Sequence, residues 1–330
     1  MGGTAVSERP HITVLCGGPS SEREVSLVSG HSVAEALRAH FEVAVVEFDQ
    51  PALPKGLDPE RTTIFPALHG AFGEDGQIQA LLEARGFGYA GSGPEASALC
   101  MDKAATKARV AGCGFAEAPA WVFSYDNMPA SAALIERLGA HLVIKPVDQG
   151  SSVGLHLTAN REELEQALSC LTPGIWMAEA FIKGREMTVG VLGGEAMGIV
   201  EIVPKGGVYD YQRKYTAGET RYIFPAEVPE ELAAHCRDYA ERAFAACGCR
   251  DFARVDFILT PDGLPYFLEI NTIPGLTPTS LLPKSASCRG LSFEELARRM
   301  AEPALRRGRA HATNANPGAA PHSDGNPQLT

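Results

Sequence analysis

The sequence predicts an α/β protein of more than one domain, with a parallel sheet near the N-terminus and antiparallel hairpins farther along. Between residues 11 and 48 an apolar strand, a glycine-rich loop, a helix and a second strand follow one another, which is the order of a parallel α/β unit. Residues 251–281 instead indicate a β-hairpin followed by a loop rich in backbone donors. The length of 330 residues suits two or three domains.

The composition argues against several classes of protein. Hydrophobic residues make up 45% of the chain, which is enough to fill real cores. The net charge of −11 argues against a nucleic acid as the main partner. No run approaches ~20 apolar residues, and the N-terminus lacks an apolar signal core, so neither a membrane span nor export is expected. Eight scattered cysteines favour reduced, buried thiols in a cytoplasmic protein.

The first domain begins with a strand over residues 11–16, a glycine loop, and a helix from about Glu22 to His40 with Ser21 and Glu24 at capping-box spacing. Strands follow at 41–48 and 62–68. The loop lacks the G-x-G-x-x-G spacing of dinucleotide-binding folds, and Glu22 stands near the helix N-terminus. A carboxylate there repels phosphate and attracts an ammonium group. Alternatively, Glu22 only complements the helix dipole.

The strand at 62–68 ends at His69, and Glu74 follows in a glycine-rich loop. Ligands of parallel sheets bind beyond the carboxyl ends of the strands, so these residues are expected at the same rim as Glu22. His69 could also simply cap the strand end. A helix over 77–85 and a linker at 91–94 complete this domain.

The second unit is predicted to begin with one helix over residues 96–111, which carries Lys103 and Lys107. Strands at 142–145 and 153–158 then flank a glycine- and serine-rich loop whose backbone N–H groups could fold over phosphates. Lys145 lies on the strand before this loop. The loop is not a P-loop, because no G-K-[ST] and no helix follow it.

The remaining elements are predicted from periodicity and composition. Glu179 interrupts an apolar strand at 176–181, which is unusual for a core strand. The polar segment 204–225 holds four tyrosines and is predicted to be a functional lid. Further predicted elements are a helix at 161–171, strands at 187–193 and 196–203, helices at 230–247 and 293–307, and a disordered tail from Gly308.

The hairpin of residues 251–281 carries the most informative polar pattern. If Asp262-Gly263 is a two-residue turn, then Asp256 faces Glu269 across the strands and Arg254 faces Asn271. Side chains alternate along a strand, so all four share one face of the sheet. Two facing carboxylates repel unless a cation lies between them, and oxygen ligands of this kind suit Mg²⁺ or Mn²⁺. The alternative is a solvated face with a chance charge cluster.

With these motifs in order, the chain resembles the D-alanine–D-alanine ligases of the ATP-grasp superfamily from about residue 11 to residue 307. The motifs are VLCGGPSSEREVSLVSG, ALHGAFGEDG, GSGPEASALCMDK, VIKPVDQGSSVG, YDYQRKYTAGETRY, ARVDF and LEINTIPGLTPTSL. The resemblance implies a three-domain ATP-grasp architecture with a Rossmann-like first domain, a small central domain and a largely antiparallel C-terminal domain. The implied ranges are 1–10 (extension), 11–95, 96–183, 184–307 and 308–330 (tail).

The resemblance also implies how ATP binds, between the central and C-terminal domains. Lys103, Lys145 and Lys214 would contact the phosphates, and a loop would close over them. The residues implied for that loop are Gly150, Ser151, Ser152 and Val153. Those implied for adenine are Glu179, Ala180 and Phe181, with Glu186 binding the ribose. Position 180 often carries Lys in the family, and the Ala here puts one adenine contact in doubt. Asp256, Glu269 and Asn271 would bind two Mg²⁺ or Mn²⁺ ions.

The implied reaction joins two D-alanine molecules through an acylphosphate and supplies peptidoglycan synthesis. Glu22 would bind the first ammonium, with His69 nearby, and Ser152 and Tyr215 would hydrogen-bond to Glu22. Arg254 and the Gly275 N–H would stabilise the oxyanion. Ser280 and the Leu281 backbone would bind the second carboxylate.

The chain departs from the family pattern at Pro278-Thr279, which touches the implied pocket for the second substrate. The identity of that substrate therefore stays open, and a related carboxylate–amine ligase is the main alternative. A nicotinamide-dependent oxidoreductase built on the first domain is an alternative of another class, against which the missing glycine and Glu22 argue. The resemblance further implies a cytoplasmic homodimer with small-molecule substrates and neither a nucleic-acid nor a membrane partner.

Overall fold

The computed structural model describes residues 9–151, 153–204 and 220–315, with side chains up to residue 308. The strands there are β1 (His11–Gly17), β2 (Glu42–Phe48), β3 (Thr63–Pro66), β4 (Ala120–Ser124), β5 (Leu142–Pro146), β6 (His156–Thr158), β7 (Ile175–Ala180), β8 (Arg185–Leu192), β9 (Glu195–Pro204), β10 (Thr220–Ile223), β11 (Phe252–Leu259) and β12 (Pro265–Asn271). The helices are α1 (Arg23–Leu37), α2 (Gln77–Ala84), α3 (Pro94–Met101), α4 (Lys103–Val110), α5 (Ser131–Leu138), α6 (Arg161–Ser169), α7 (Glu230–Ala246), α8 (Leu281–Ser287) and α9 (Phe293–Ala315).

The first sheet is parallel, with strand order β2-β1-β3, which confirms the predicted parallel α/β unit. Apolar side chains of β1 and α1 belong to one core cluster, which includes Ile12 of β1 and Val33 of α1. Glu22 occupies the N-cap position of α1 and makes no side-chain cap bond. The predicted capping box of Ser21 and Glu24 is therefore wrong, because the helix begins one residue later than that pattern requires.

The second sheet is antiparallel, with strand order β4-β7-β5-β6, and α5 and α6 pack against it. The sequence analysis predicted neither β4 nor α5. It also predicted one helix where the structure has α3 and α4. Asp102 separates them with extended backbone angles, and its carboxylate accepts a hydrogen bond from the Ala105 N–H at 2.9 Å, which starts α4 as an N-cap.

The third sheet has the order β10-β9-β8-β11-β12 and is antiparallel throughout. The predicted register of the β11–β12 hairpin is confirmed, because Asp256 pairs with Glu269 and Arg254 with Asn271. The predicted turn is wrong, however. Leu259 pairs with Pro265, so the connection is longer than two residues, and Gly263 has φ +82° as in a three-residue hairpin loop.

A β-bulge restores the predicted register. Phe257 pairs with Phe267, whereas its neighbour Asp256 pairs with Glu269, so Leu268 is an extra residue in β12. The longer loop shifts the pairing by one residue, and the bulge shifts it back. The four polar residues of the hairpin consequently keep the partners that the two-residue turn predicted.

Helix α9 extends to Ala315, eight residues beyond the predicted end at Arg307. Gly308, where the predicted tail starts, is part of the packing. A side chain at Gly88 would lie 2.6 Å from the Gly308 nitrogen, so the two backbones approach too closely for any residue but glycine at position 88. The rest of the predicted tail, from residue 316, lies outside the described residues.

Two compositional predictions can be compared with the structure. All eight cysteines are free thiols; five are buried, two are half-buried and Cys170 is exposed. The described helices include none that is both long enough and apolar enough to cross a bilayer.

Candidate active site

The shared polar face of β11 and β12 is built as a hydrogen-bonded network around Asp256. Its carboxylate accepts from Arg254 Nε at 2.9 Å and from Arg254 Nη2 at 2.7 Å. Thr188 Oγ1 donates to it at 2.5 Å from the neighbouring strand β8. Asp256 and Arg254 are each 5% exposed. A buried carboxylate is stable only with such partners, so this arrangement holds a negative charge inside the protein.

The donor set on this face fits a divalent metal ion. The Asn271 amide nitrogen lies 3.0 Å from Asp256 Oδ2 and 3.3 Å from Glu269 Oε1, between the two carboxylates. Rotating this amide by half a turn would present its oxygen there instead. No group of three His, Cys, Asp or Glu side chains in the described part of the chain could hold a metal. The ligands would therefore be two carboxylates, one amide and substrate phosphates, which is typical of Mg²⁺.

Glu179 lies between two lysines. Lys145 Nζ is 2.5 Å from Glu179 Oε2, and Lys107 Nζ is 2.7 Å from Glu179 Oε1. Burial alone would raise the pKa of Glu179, but the two ammonium groups hold its pKa below the ordinary value. Glu179 is therefore ionised in the folded protein, and the three groups together carry one positive charge.

Lys103 links Glu269 of β12 to the loop between β5 and β6. Its ammonium donates to the Gln149 carbonyl at 2.5 Å and lies 3.6 Å from Glu269 Oε2. In the loop, the Val153 N–H donates to the Gly150 carbonyl at 3.1 Å, and Ser151 has φ +54°. The loop thus forms a tight turn over the cavity wall that carries Glu269.

A cavity of about 390 Å³ opens between the second and third sheets. Its lining includes Lys103, Lys145, Glu179, Glu186, Asp256 and Glu269. The sequence analysis associated all six with ATP or its metal ions, and the fold brings them to one space. Along the implied adenine edge, the Ala180 N–H donates to the Pro119 carbonyl at 2.9 Å and the Phe181 N–H to the His141 carbonyl at 2.9 Å. These two N–H groups are therefore engaged, so adenine contacts here would use carbonyl oxygens.

Glu22 and His69 meet at the carboxyl rim of the parallel sheet, as predicted. The Ser20 hydroxyl donates to the His69 carbonyl at 2.5 Å and accepts from the Glu22 N–H at 3.1 Å. Ser151 Oγ donates to Glu22 Oε1, which connects this rim to the β5–β6 loop. Ser151 is thus a serine that contacts Glu22, whereas Ser152, to which the resemblance assigns this contact, lies outside the described residues.

The loop after β12 closes the other side of this space. Ser29 of α1 lies 2.9 Å from His69 Nε2 and accepts from the Leu276 N–H at 3.4 Å. Ser280 Oγ accepts from the Thr277 N–H at 3.1 Å, and a side chain at Gly275 would approach Ser280 Oγ to 2.9 Å. Gly275 is thereby kept small where the backbone borders the site, and Leu281, which follows Ser280, is buried.

Several predicted site residues cannot be placed. Ser152, Lys214 and Tyr215 lie outside the described residues, as do Tyr209 and Tyr211 of the predicted lid.

Comparisons with known proteins agree with this geometry. Residues 113–302 match the family model described as D-ala D-ala ligase C-terminus. The D-alanine–D-alanine ligase of Anaeromyxobacter dehalogenans is 45% identical over 293 residues, which cover 88% of this chain and 95% of the relative. The chain belongs to the D-alanine–D-alanine ligase family. This confirms the resemblance inferred from the motifs and the prediction of an ATP-dependent ligase.

Solved structures related to this family share the fold. The Bacillus anthracis D-alanine–D-alanine ligase complexed with ATP has a TM-score of 0.78 and 28% identity, over 91% of this chain and 99% of that one. The VanG D-Ala:D-Ser ligase from Enterococcus faecalis has a TM-score of 0.78 and 29% identity, over 89% and 98%. The ATP-grasp fold expected from the sequence is therefore confirmed for this member of the D-alanine–D-alanine ligase family.

Three residues of this family member contact the site although the sequence analysis assigned them no role there. Ser29 joins His69 to the loop after β12, Thr188 donates to Asp256, and Lys107 binds Glu179. Thr188 is a single hydroxyl residue in a mostly apolar part of β8, and Ser29 is one of three serines of α1, so their sequence context carried no signal. Lys107 occupies a helix position where a solvated lysine is the ordinary expectation.

Proposed function

We propose that this protein joins two D-alanine molecules into D-alanyl-D-alanine through an acylphosphate, with release of ADP and phosphate from ATP, for peptidoglycan precursor synthesis. One observation carries the proposal: a continuous series of contacts runs from Glu22 through Ser151 and the β5–β6 loop to Lys103 and Glu269. This series joins an amine-binding carboxylate to a phosphate-binding wall. A ligase that activates a carboxylate with ATP needs both within one space.

The cavity wall supplies the groups for ATP. Lys103 and Lys145 would bind the phosphates, and Gly150, Ser151 and Val153 would fold over them together with Ser152. Glu186 would bind the ribose. The ATP complex of the Bacillus anthracis relative supports nucleotide binding in a protein of this fold.

Asp256, Glu269 and Asn271 would hold two Mg²⁺ or Mn²⁺ ions. Metal ions of this kind neutralise the charge of transferring phosphate groups. Asp256 and Glu269 face each other across two strands, so they can bind a cation shared with phosphate oxygens without any large movement of the backbone. The Thr188 hydroxyl orients Asp256 for this role.

The substrates would bind between the rim of the parallel sheet and the loop after β12. Glu22 would pair with the first ammonium group, near His69. Arg254 and the Gly275 N–H would stabilise the oxyanion that forms when the second amine attacks the activated carbonyl. Ser280 and the Leu281 backbone would bind the second carboxylate, and Lys214 and Tyr215 would act from the lid.

The decisive measurement is phosphate release from ATP with a panel of D-alanine, L-alanine, D-serine and D-lactate, each product being identified by its mass. We expect release with D-alanine and a dipeptide mass. NADH binding that ATP does not change would instead favour an oxidoreductase. Absence of phosphate release with D-alanine would refute the proposal.

D-serine is the second candidate for the amine that attacks. A solved relative of nearly equal similarity is a D-Ala:D-Ser ligase. In addition, Pro278-Thr279 changes the segment just before Ser280. The same panel of amino acids identifies the second substrate. A D-alanyl-D-serine product that forms faster than D-alanyl-D-alanine would show that D-serine is the preferred second substrate.

Replacing Glu269 by Gln is expected to raise the Mg²⁺ concentration for half-maximal activity by at least about tenfold, since a neutral amide is a weaker ligand than a carboxylate. Activity should vanish with a chelator and return with Mg²⁺ or Mn²⁺. The exposed Glu231→Gln on α7 is the control. An unchanged Mg²⁺ requirement in Glu269→Gln would exclude Glu269 as a ligand.

We also propose that the three sheets belong to three domains, at 11–95, 96–183 and 184–307, and that the protein is a cytoplasmic homodimer. The strands of each sheet fall within one of these ranges, which supports the boundaries. Light scattering of the purified protein tests the dimer.

A further inference from the structure

Lys107 is a buried lysine for which the proposed reaction gives no role. It lies on α4 and is 8% exposed. Its ammonium donates to the Phe267 carbonyl at 2.8 Å and contacts Glu179 at 2.7 Å. Phe267 belongs to β12 and Glu179 to β7, so one side chain connects the two sheets on either side of the cavity. Lysine is seldom buried this far unless it is paired, so the contacts explain its burial.

The contact with Glu179 sets the charge that faces the cavity. Glu179 also binds Lys145, at 2.5 Å through its other oxygen. With Lys145 as its sole partner, the carboxylate would form a neutral pair and offset the charge that Lys145 offers to a phosphate. Lys107 supplies a second ammonium on the far oxygen, and the three groups then keep one positive charge. In a site of low dielectric constant, that charge attracts phosphate strongly.

The contact with Phe267 fixes the strand that carries Glu269. Phe267 stands just before the bulge residue Leu268, and Glu269 comes directly after it. The bulge is what brings Glu269 opposite Asp256. A donor on the Phe267 carbonyl therefore holds the strand at the point where its register changes.

The surroundings make the charge of Lys107 depend on Glu179. Burial lowers the pKa of Lys107 and Lys145 lowers it further, whereas Glu179 opposes both effects. Loss of the carboxylate would thus favour the neutral amine, so the two side chains act as a coupled pair.

We propose that Lys107 is a positioning residue for the ATP phosphates: by binding Glu179 and the Phe267 carbonyl, it preserves the net charge at Lys145 and holds the strand of Glu269 in place. The inference rests on the proposed ATP-dependent function and deepens it. It predicts that Lys107 controls ATP binding without contacting the amino-acid substrates.

The test compares Lys107→Met with Arg109→Met. Arg109 is exposed on the same helix and donates only to the Ala246 carbonyl at 3.3 Å among the contacts described. We expect Lys107→Met to raise the KM for ATP by about tenfold or more while kcat falls by less than about threefold, since binding and not the chemical step is affected. The KM for D-alanine and all constants of Arg109→Met should stay within about twofold of wild type.

One further variant separates positioning from general damage. Lys107→Arg keeps a charged donor and should restore the KM for ATP to within about threefold of wild type. Thermal melts followed by circular dichroism check folding, and Lys107→Gln replaces Lys107→Met if the latter does not fold.

The proposed role of Lys107 would be overturned if Lys107→Met and Arg109→Met had the same KM for ATP. It would also be overturned if Lys107→Met lowered kcat and left the KM for ATP unchanged. If the wild-type protein releases no phosphate with D-alanine, the proposed function fails. Calorimetric ATP affinities of the same variants still decide the role of Lys107 in that case, because they need no turnover.

Discussion

Replacing Arg254 by Met is expected to lower the rate of product formation by about 10²- to 10³-fold or more, as for the loss of an oxyanion-stabilising donor. Arg254 supplies a positive charge to the polar face of β11 and β12. Its side chain donates to both carboxylate oxygens of Asp256, and the residue is 5% exposed. Without it, Asp256 and Glu269 face each other with one positive charge fewer. In the proposed reaction, the oxyanion would also lose the guanidinium that stabilises it.

The effect should appear in kcat, since the transition state depends on this charge more than the bound substrates do. Single-turnover phosphate release measures the rate, mass spectrometry identifies the product, and calorimetry verifies that ATP still binds. Arg254→Lys should recover part of the rate because it keeps the charge but not the two-pronged geometry. Arg161→Met, which removes an exposed arginine of α6, is the control. Residual activity above one-tenth of wild type would contradict the assignment.

The substitution Asp251→Asn is expected to reduce the free energy of unfolding by about 2–3 kcal/mol, because it breaks a buried ion pair. Asp251 has a side chain that is 4% exposed and accepts from Arg307 of α9. It also accepts from the Gly91 N–H at 2.9 Å, in the linker after the first sheet. Arg307 in turn donates to the Tyr89 carbonyl at 2.7 Å. One carboxylate thus joins the linker, α9 and the start of β11, three residues before Arg254.

Asparagine is the suitable replacement, because Asp251 has φ +61° and asparagine tolerates that conformation. The expected loss of unfolding free energy is smaller than the ~3–5 kcal/mol of a fully buried pair, since the Arg307 side chain is 29% exposed and water screens it. The melting temperature should fall by about 3–4 °C, measured by calorimetry or circular dichroism. Asp238→Asn breaks the exposed pair with Arg242 and should change stability by less than about 0.5 kcal/mol. Equal melting temperatures for the two variants would refute the prediction.

In the hairpin of β11 and β12, the sequence predicted the strand pairing correctly but not the turn or the bulge. Alternation along the strands and a turn containing Gly263 were enough to predict that Asp256 faces Glu269. The turn length was nevertheless wrong, and the bulge at Leu268 compensated for it. Bulges depend on packing against neighbouring strands, so their positions cannot be read from a local pattern.

The break between α3 and α4, unlike the bulge, had a local signal in the sequence. The absence of glycine or proline between residues 96 and 111 favours one helix, with Gly112 and Gly114 as its end. Asp102 is a common N-cap residue, and its presence was the local signal that could have placed a helix start at Lys103. In the structure, the Lys103 N–H at this new helix start donates to the Val147 carbonyl at 2.9 Å, a tertiary contact that the local pattern does not reveal.

Taken by itself, the sequence determined the fold class, the family, the register of the polar β11–β12 face and the residue types of the β5–β6 loop. These follow from local periodicity, turn chemistry and motifs in a fixed order. Only the tertiary structure decided that Ser151 contacts Glu22, that Lys107 shares Glu179 with Lys145, and that Asp251 holds α9 to the linker. Each of these contacts joins residues that are more than 30 positions apart, and nothing in the local pattern selects one distant partner among many of the same charge.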